Sequence, residues 1–256
     1  MEAHWGRIDV WVNNAMATIF SPLLEIRPED YRRATDVTYL GTVWGTLAAL
    51  RRMQARDAGT IVQVGSALAY RSIPLQAPYC AAKAAARGFT DALRCELAHA
   101  HSRVRVTMVQ LSAFNTPQFE WGRTTMDRRP RPMGRIFQPE LAAEAVYHAA
   151  TRPRRELWVG WPAVQAILGT RVIPGLLDRH LGARAVAGQL DDAPLPAGRR
   201  DNLWSPVPGD HGAHGRFDDT ASAHSVHLWL NLRRGWVAAV AAGLAGAAAA
   251  AIAWAG

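Results

Sequence analysis

Four short apolar runs, each followed by a stretch of helical or loop-like pattern, constrain this chain more than any other feature. The first is Ile8-Asp9-Val10-Trp11-Val12, which ends at Asn13-Asn14. Thr60-Ile61-Val62-Gln63-Val64 follows the break at Gly59, then come Val104 to Val109 and Glu156 to Gly160. Runs of this kind read as strands of a sheet covered on both faces. Pro28 to about Met53, the alanine-rich Ala77 to about His101, and Pro139 to Thr151 carry helical patterns between them. Pro28 stands where a first-turn proline is tolerated, and Glu29 and Asp30 sit at the positive end of that helix. Strands alternating with helices predict βαβ units, and so an α/β fold with a parallel sheet.

The 256 residues suffice for one such domain with a full core plus an appendage. An apolar share of 49% excludes a disordered tail or a collagen-like fibre. Cys80 and Cys95 cannot make a disulfide framework and no signal-peptide pattern opens the chain, so a reducing cytoplasmic compartment is expected. The net charge of +8 comes from scattered arginines without zinc-finger spacing or an RNA-binding aromatic motif. They read as a solvated basic surface, not a nucleic-acid site. Among 29 basic residues Lys83 is the only lysine.

That lysine belongs to a constellation. The strand at 60–64 runs into Gly65-Ser66, and strand ends are where open α/β sheets place ligands. Tyr79 follows, and Lys83 lies four residues beyond it. At i and i+4 on a helix, phenol and ammonium lie about 6 Å apart. A cation beside a phenol stabilises phenolate, which suits Tyr79 to acid–base work. Ser66 could hydrogen-bond a substrate oxygen. A bare tyrosine and lysine at this spacing also occur by chance on surface helices. Here a strand-end serine, the spacing, an alanine-rich helix and a lysine kept where all else is arginine coincide.

Together these residues resemble the short-chain dehydrogenase/reductase family over roughly residues 1 to 160. Asn13-Asn14-Ala15-Met16 looks like the family's N-N-A-G, Thr60 to Ser66 like its fifth strand, Tyr79-Cys80-Ala81-Ala82-Lys83 like Y-x-x-x-K, and Leu111 to Thr116 like P-G-x-[VI]-x-T. The resemblance implies Tyr79 as proton-transferring residue, Lys83 lowering its pKa and holding the nicotinamide ribose, Ser66 orienting a carbonyl, and Thr38 in the place of a relay asparagine. It implies NAD or NADP as cofactor, met by Asn13, Asn14, Ala15, Tyr79, Lys83, Phe114 and Thr116, and a small alcohol or carbonyl substrate. Hydride would pass between cofactor and substrate. Helices bearing Thr38 and Tyr79 would pair in a homo-oligomer, with Ala81, Ala82, Ala84, Ala85 and Ala86 permitting close approach.

The sequence departs from the family at four places. Met16 replaces a glycine, Thr38 an asparagine, and Leu111-Ser112 a Pro-Gly pair. The glycine-rich turn that seats the pyrophosphate on a helix N-terminus is absent, and Gly41-x-x-x-Gly45 reads as close packing inside a helix. The expected architecture is therefore an incomplete Rossmann-like, doubly wound parallel sheet holding strands 4–7 of the family order. On this reading the start lies upstream or the gene has decayed. The strand at 8–12 becomes an edge, and dinucleotide binding is weak.

Residues 1–160 form this domain, 161–190 a helical extension broken near Pro174-Gly175, 191–232 a Pro/Gly/His-rich irregular segment, and 233–256 an apolar helix. Trp121 to Phe137, with five arginines, reads as a solvated loop, in the place of the family's substrate lid. Trp204 is expected to plug its segment onto the domain. His211 and His214 read as an ordered polar loop, with no recognised metal-ligand spacing. Residues 236–255 carry no charge and are flanked by Trp236 and Trp254, yet twelve of them are alanine. They read either as a membrane tail anchor or as a soluble helix packed on the domain. The leading function is an NAD(P)-dependent oxidoreductase; the alternative is a non-catalytic, membrane-tethered or oligomeric binding module.

Overall fold

The computed structural model describes residues 4, 6–237, 239, 240 and 242. Four parallel strands form its main sheet: β1 (Val10–Asn13), β2 (Thr60–Ser66), β3 (Arg105–Leu111) and β4 (Glu156–Val159), in the order β1-β2-β3-β4. Val12 pairs with Val62, Val62 with Thr107, and Leu157 with Val109, so neighbouring side chains share a face in register. The helices are α1 (Pro28–Thr35), α2 (Gly41–Gln54), α3 (Ala77–His99), α4 (Pro139–Thr151), α5 (Trp161–Val172), α6 (Pro174–Gly188) and α7 (Val226–Leu232). The expected Rossmann-like α/β architecture is present.

Strand periodicity divides the core into two layers. Ile61 and Val106 pack with Met53 of α2 and Leu93 and Leu97 of α3 on one face. Val62, Val109 and Leu157 pack with Ala145 and Ala149 of α4 and with Leu228 of α7 on the other. Each fully buried residue of this kind contributes roughly 1.5–3 kcal/mol of transfer free energy. The run from Pro28 to Met53 is not one uniform α-helix: between α1 and α2, Asp36–Leu40 forms a π-helical turn. At Gly45 a Cβ would lie 2.5 Å from Asn13 Oδ1, which bears out close packing there.

The segments around 121–137 and 191–232 depart from expectation. Arg123–Thr124 pairs with Ile19–Phe20, and Ile136–Phe137 with Ala113–Phe114. Between them Arg128–Pro130 pairs antiparallel with Leu190–Pro194. The loop is thus pinned at three places, and the segment read as irregular supplies a strand and helix α7. The cause is tertiary: Leu190 is buried, and Asp191 accepts a 3.3 Å hydrogen bond from Arg216. Nor is Trp204 the plug. Leu203 is buried with Ala17, Ile19 and Ala34, while the half-exposed Trp204 donates from Nε1 to Asp30 at 2.7 Å. The smaller side chain fits the closed gap, and the indole N–H keeps its partner.

Of the five alanines expected at an oligomer face, Ala82 and Ala86 are already buried inside this chain and Ala81 is exposed. Most of the apolar run at 236–255 lies outside the described residues. Among the described residues no helix is long and apolar enough to cross a membrane.

Candidate active site

Ser66 ends β2 and is buried; its Oγ accepts a 3.1 Å bond from the Leu68 amide and so caps the 3₁₀ turn Ala67–Ala69. The Tyr79 phenol, near the start of α3, lies close enough to the same hydroxyl for Ser66 to draw its pKa down. One turn further, Lys83 is buried, and its Nζ lies 5.6 Å from the Tyr79 ring centroid and donates to the Val64 carbonyl at 2.6 Å. Helix α3 thus carries acid–base candidates against the end of the strand that carries the serine. The three residues come together as their sequence pattern predicts.

Their electrostatics differ from the implied pattern. Burial pushes the Tyr79 phenol up to about 12, with the Ser66 hydroxyl pulling the other way. Burial also pulls the Lys83 ammonium down to about 8. Lys83 is turned toward a carbonyl, and the phenol moves up rather than down in this geometry. Both shifts share one origin: each charged form has lost water.

Thr38 lies at the centre of the π-helical turn, which packs on α3. It is fully buried, and its Oγ1 both accepts from the Ala17 amide and donates to the Ala17 carbonyl, each at 2.9 Å. The hydroxyl therefore fastens the chain after β1 to the helix. π-Helical turns inside α-helices occur often at functional sites.

Asn13 is a structural hub. Its Nδ2 donates to Thr46 and to Gln63, each at 2.9 Å, while Oδ1 accepts from the Trp11 indole at 2.8 Å. Asn14 and Ala15 are exposed beyond the strand end. Phe114 is buried against Phe137, centroids 6.0 Å apart, in the layer under α4. Thr116 is half-buried, and its carbonyl would meet a Cβ at Gly215 at only 2.6 Å.

A strap at 214–222 closes over the loop that holds Phe114 and Thr116. The fully buried Asn115 donates to Asp218 at 2.8 Å and to Gln138 at 3.0 Å, and accepts from the Phe217 amide. His214 bridges Asp218 at 2.8 Å and Glu140 at 2.7 Å, and these carboxylates raise its pKa. Asn115 escaped the sequence reading. Its only local signal is a polar residue beside a buried phenylalanine, and its partners lie far along the chain.

A parallel sheet with helices on both faces and a Ser–Tyr–Lys cluster at a strand end defines a Rossmann-like α/β protein with acid–base groups in its crevice. Residues 1–126 match the family described as short chain dehydrogenase. YxnA, an uncharacterised oxidoreductase of Bacillus subtilis (strain 168), is 34% identical over 179 residues, which are 68% of this chain and 50% of that protein. A short-chain dehydrogenase structure from Streptomyces avermitilis aligns with a TM-score of 0.57 at 26% identity, covering 72% of each chain. Another, from Burkholderia cenocepacia J2315 in complex with NADP, aligns with a TM-score of 0.58 at 29% identity, covering 68% of this chain and 70% of that one. The chain belongs to the short-chain dehydrogenase/reductase family, whose members are oxidoreductases. It spans half the length of YxnA.

Proposed function

We propose that this chain carries the acid–base site of an NAD(P)-dependent oxidoreductase acting on a secondary alcohol or ketone. The observation that supports it best is the meeting of Ser66 and Tyr79 at the end of β2, with the buried Lys83 Nζ 5.6 Å from the Tyr79 ring one helical turn away. The residues at this end fit a nicotinamide ribose. An ammonium has three N–H donors, and the Val64 carbonyl takes one of those on Lys83, which leaves two for ribose hydroxyls. Thr116 is the hydroxyl proposed to meet the carboxamide. When bound, the nicotinamide supplies or accepts the hydride. No glycine-rich strand–turn–helix occurs among these 256 residues, so they alone are expected to bind the dinucleotide weakly.

In reduction, Tyr79 Oη gives its proton to the carbonyl oxygen as charge develops there, and Ser66 holds that oxygen by a hydrogen bond. A phenol raised to about 12 is fully protonated at neutral pH, which is the form reduction needs. In oxidation, Tyr79 must first lose its proton, and that direction is favoured by alkali. Positioned proton transfer supplies about 10²–10⁴ in rate.

The experiment is oxidation of NADH and of NADPH, at millimolar concentration, with a panel of ketones. The native chain is expected to turn over at least one pair, and Ser66→Ala to lose about 10²-fold in kcat. No oxidation with any pair, or undiminished kcat in Ser66→Ala, contradicts the proposal and favours the binding-module reading.

A further inference from the structure

A cleft of about 370 Å³ lies away from Tyr79, between α3, β4, α5 and α7. Arg87 enters it from α3, two helical turns beyond Tyr79 and about 12 Å along the helix axis at 1.5 Å per residue. Arg171 comes from the end of α5 and Arg155 from just before β4, so arginines from three separate parts of the chain line one space. Trp158 and Tyr70 give it aromatic walls, and Asn231 of α7 an amide.

The two carboxylates at the cleft are already occupied. Asp91 accepts from Arg94 at 2.8 Å and from Arg155 at 2.6 Å. Glu156 accepts from the Tyr70 hydroxyl at 2.8 Å, the Trp158 indole at 2.8 Å and Gln110 at 3.3 Å. Among the described residues Arg87 lies over the Tyr70 ring at 4.6 Å with no carboxylate partner, and its buried Nε finds no acceptor there. Arg171 is exposed and has neither ion pair nor hydrogen bond among the described residues. With Arg94 adjoining, four guanidiniums face two carboxylates. Their crowding registers on Arg94, whose pKa is lowered by burial first and by Arg155 next.

We propose that this cleft is a binding site for a small phosphorylated ligand, with Arg87 and Arg171 holding the phosphate and Trp158 and Tyr70 flanking the organic part. The guanidinium fork matches phosphate oxygens with paired, charge-assisted hydrogen bonds, which a lysine-lined cleft would not provide. The volume falls within the range of small-molecule sites. None of these residues takes part in the Ser66–Tyr79–Lys83 chemistry, so the site stands or falls independently of it.

The probe is inorganic phosphate, titrated into the full 256-residue chain at constant ionic strength set with sodium chloride, and read by isothermal calorimetry and by thermal melting. The native chain is expected to show saturable binding and a rising Tm. Arg87→Gln/Arg171→Gln should bind at least tenfold more weakly, and so should Arg171→Gln alone, a change at an exposed side chain that leaves folding intact. Arg32→Gln, on α1, should bind as the native chain does. The absence of saturable binding to the native chain overturns the proposal. Equal affinity in the folded Arg171→Gln chain, or an equal loss in Arg32→Gln, overturns it as well.

Discussion

Lys83 is an ammonium without water. Its folded pKa of about 8 lies below the 10.5 of a free side chain, so the fold bears the full cost of burying the charge below about pH 8. That cost falls away as pH rises to 10.5. Lys83→Met removes this dependence, and the stability difference between the two chains is expected to shift by up to about 3 kcal/mol in favour of the native protein across that interval. Urea unfolding at pH 7.5 and 10.5 measures it. Asn13, at the end of β1, carries a different expectation. Asn13→Ala strands the Trp11 indole and the Gln63 amide oxygen, at a cost of about 1–3 kcal/mol in the same assay, while Asn14→Ala is expected to cost almost nothing. Ser66, Tyr79 and Lys83 were legible because a strand end and an i,i+4 spacing fix their relation locally. The upward shift of Tyr79 was not legible, because burial belongs to the folded surroundings and not to the motif.

At the scale of elements, helices were read well where a proline marks the start: Pro139–Thr151 is found as predicted, and the break at Pro174 separates α5 from α6. The strand Leu190–Pro194 was hidden, since two aspartates and a proline disguise its pattern and only pairing with Arg128–Pro130 makes it a strand. The strap at 214–222 was equally invisible in local sequence. It is held by His214 between Glu140 and Asp218, and the raised pKa of this histidine sets a direction. Stability from its protonation is fully present below the unfolded value near 6.5 and is lost as pH rises through the higher folded value. Thermal melting from pH 6 to 9 is therefore expected to show the native Tm falling toward that of His214→Gln. Parallel melting curves across the range would contradict the clamp.

For the whole molecule, the sheet order leaves β1 with a partner on one side only among the described residues, and Val10 and Val12 are about 40% exposed there. Unpaired apolar edges associate. Val12→Lys is expected to reduce concentration-dependent self-association in sedimentation velocity without altering the circular dichroism spectrum. Unchanged sedimentation would locate any association elsewhere. The parallel α/β plan was legible from strand–helix alternation, whereas the closing of the 214–222 strap over the Phe114–Thr116 loop depends on contacts across much of the chain. What unites these levels is the claim that the crevice holds a working proton donor. Single-turnover hydride transfer from whichever of NADH and NADPH the native chain oxidises, at saturation, to a ketone turned over by the native chain tests it most directly, comparing native with Tyr79→Phe. A rate at least 10²-fold lower in Tyr79→Phe, with coenzyme affinity unchanged, is the predicted result; a rate within threefold, about 0.65 kcal/mol in barrier, would contradict it.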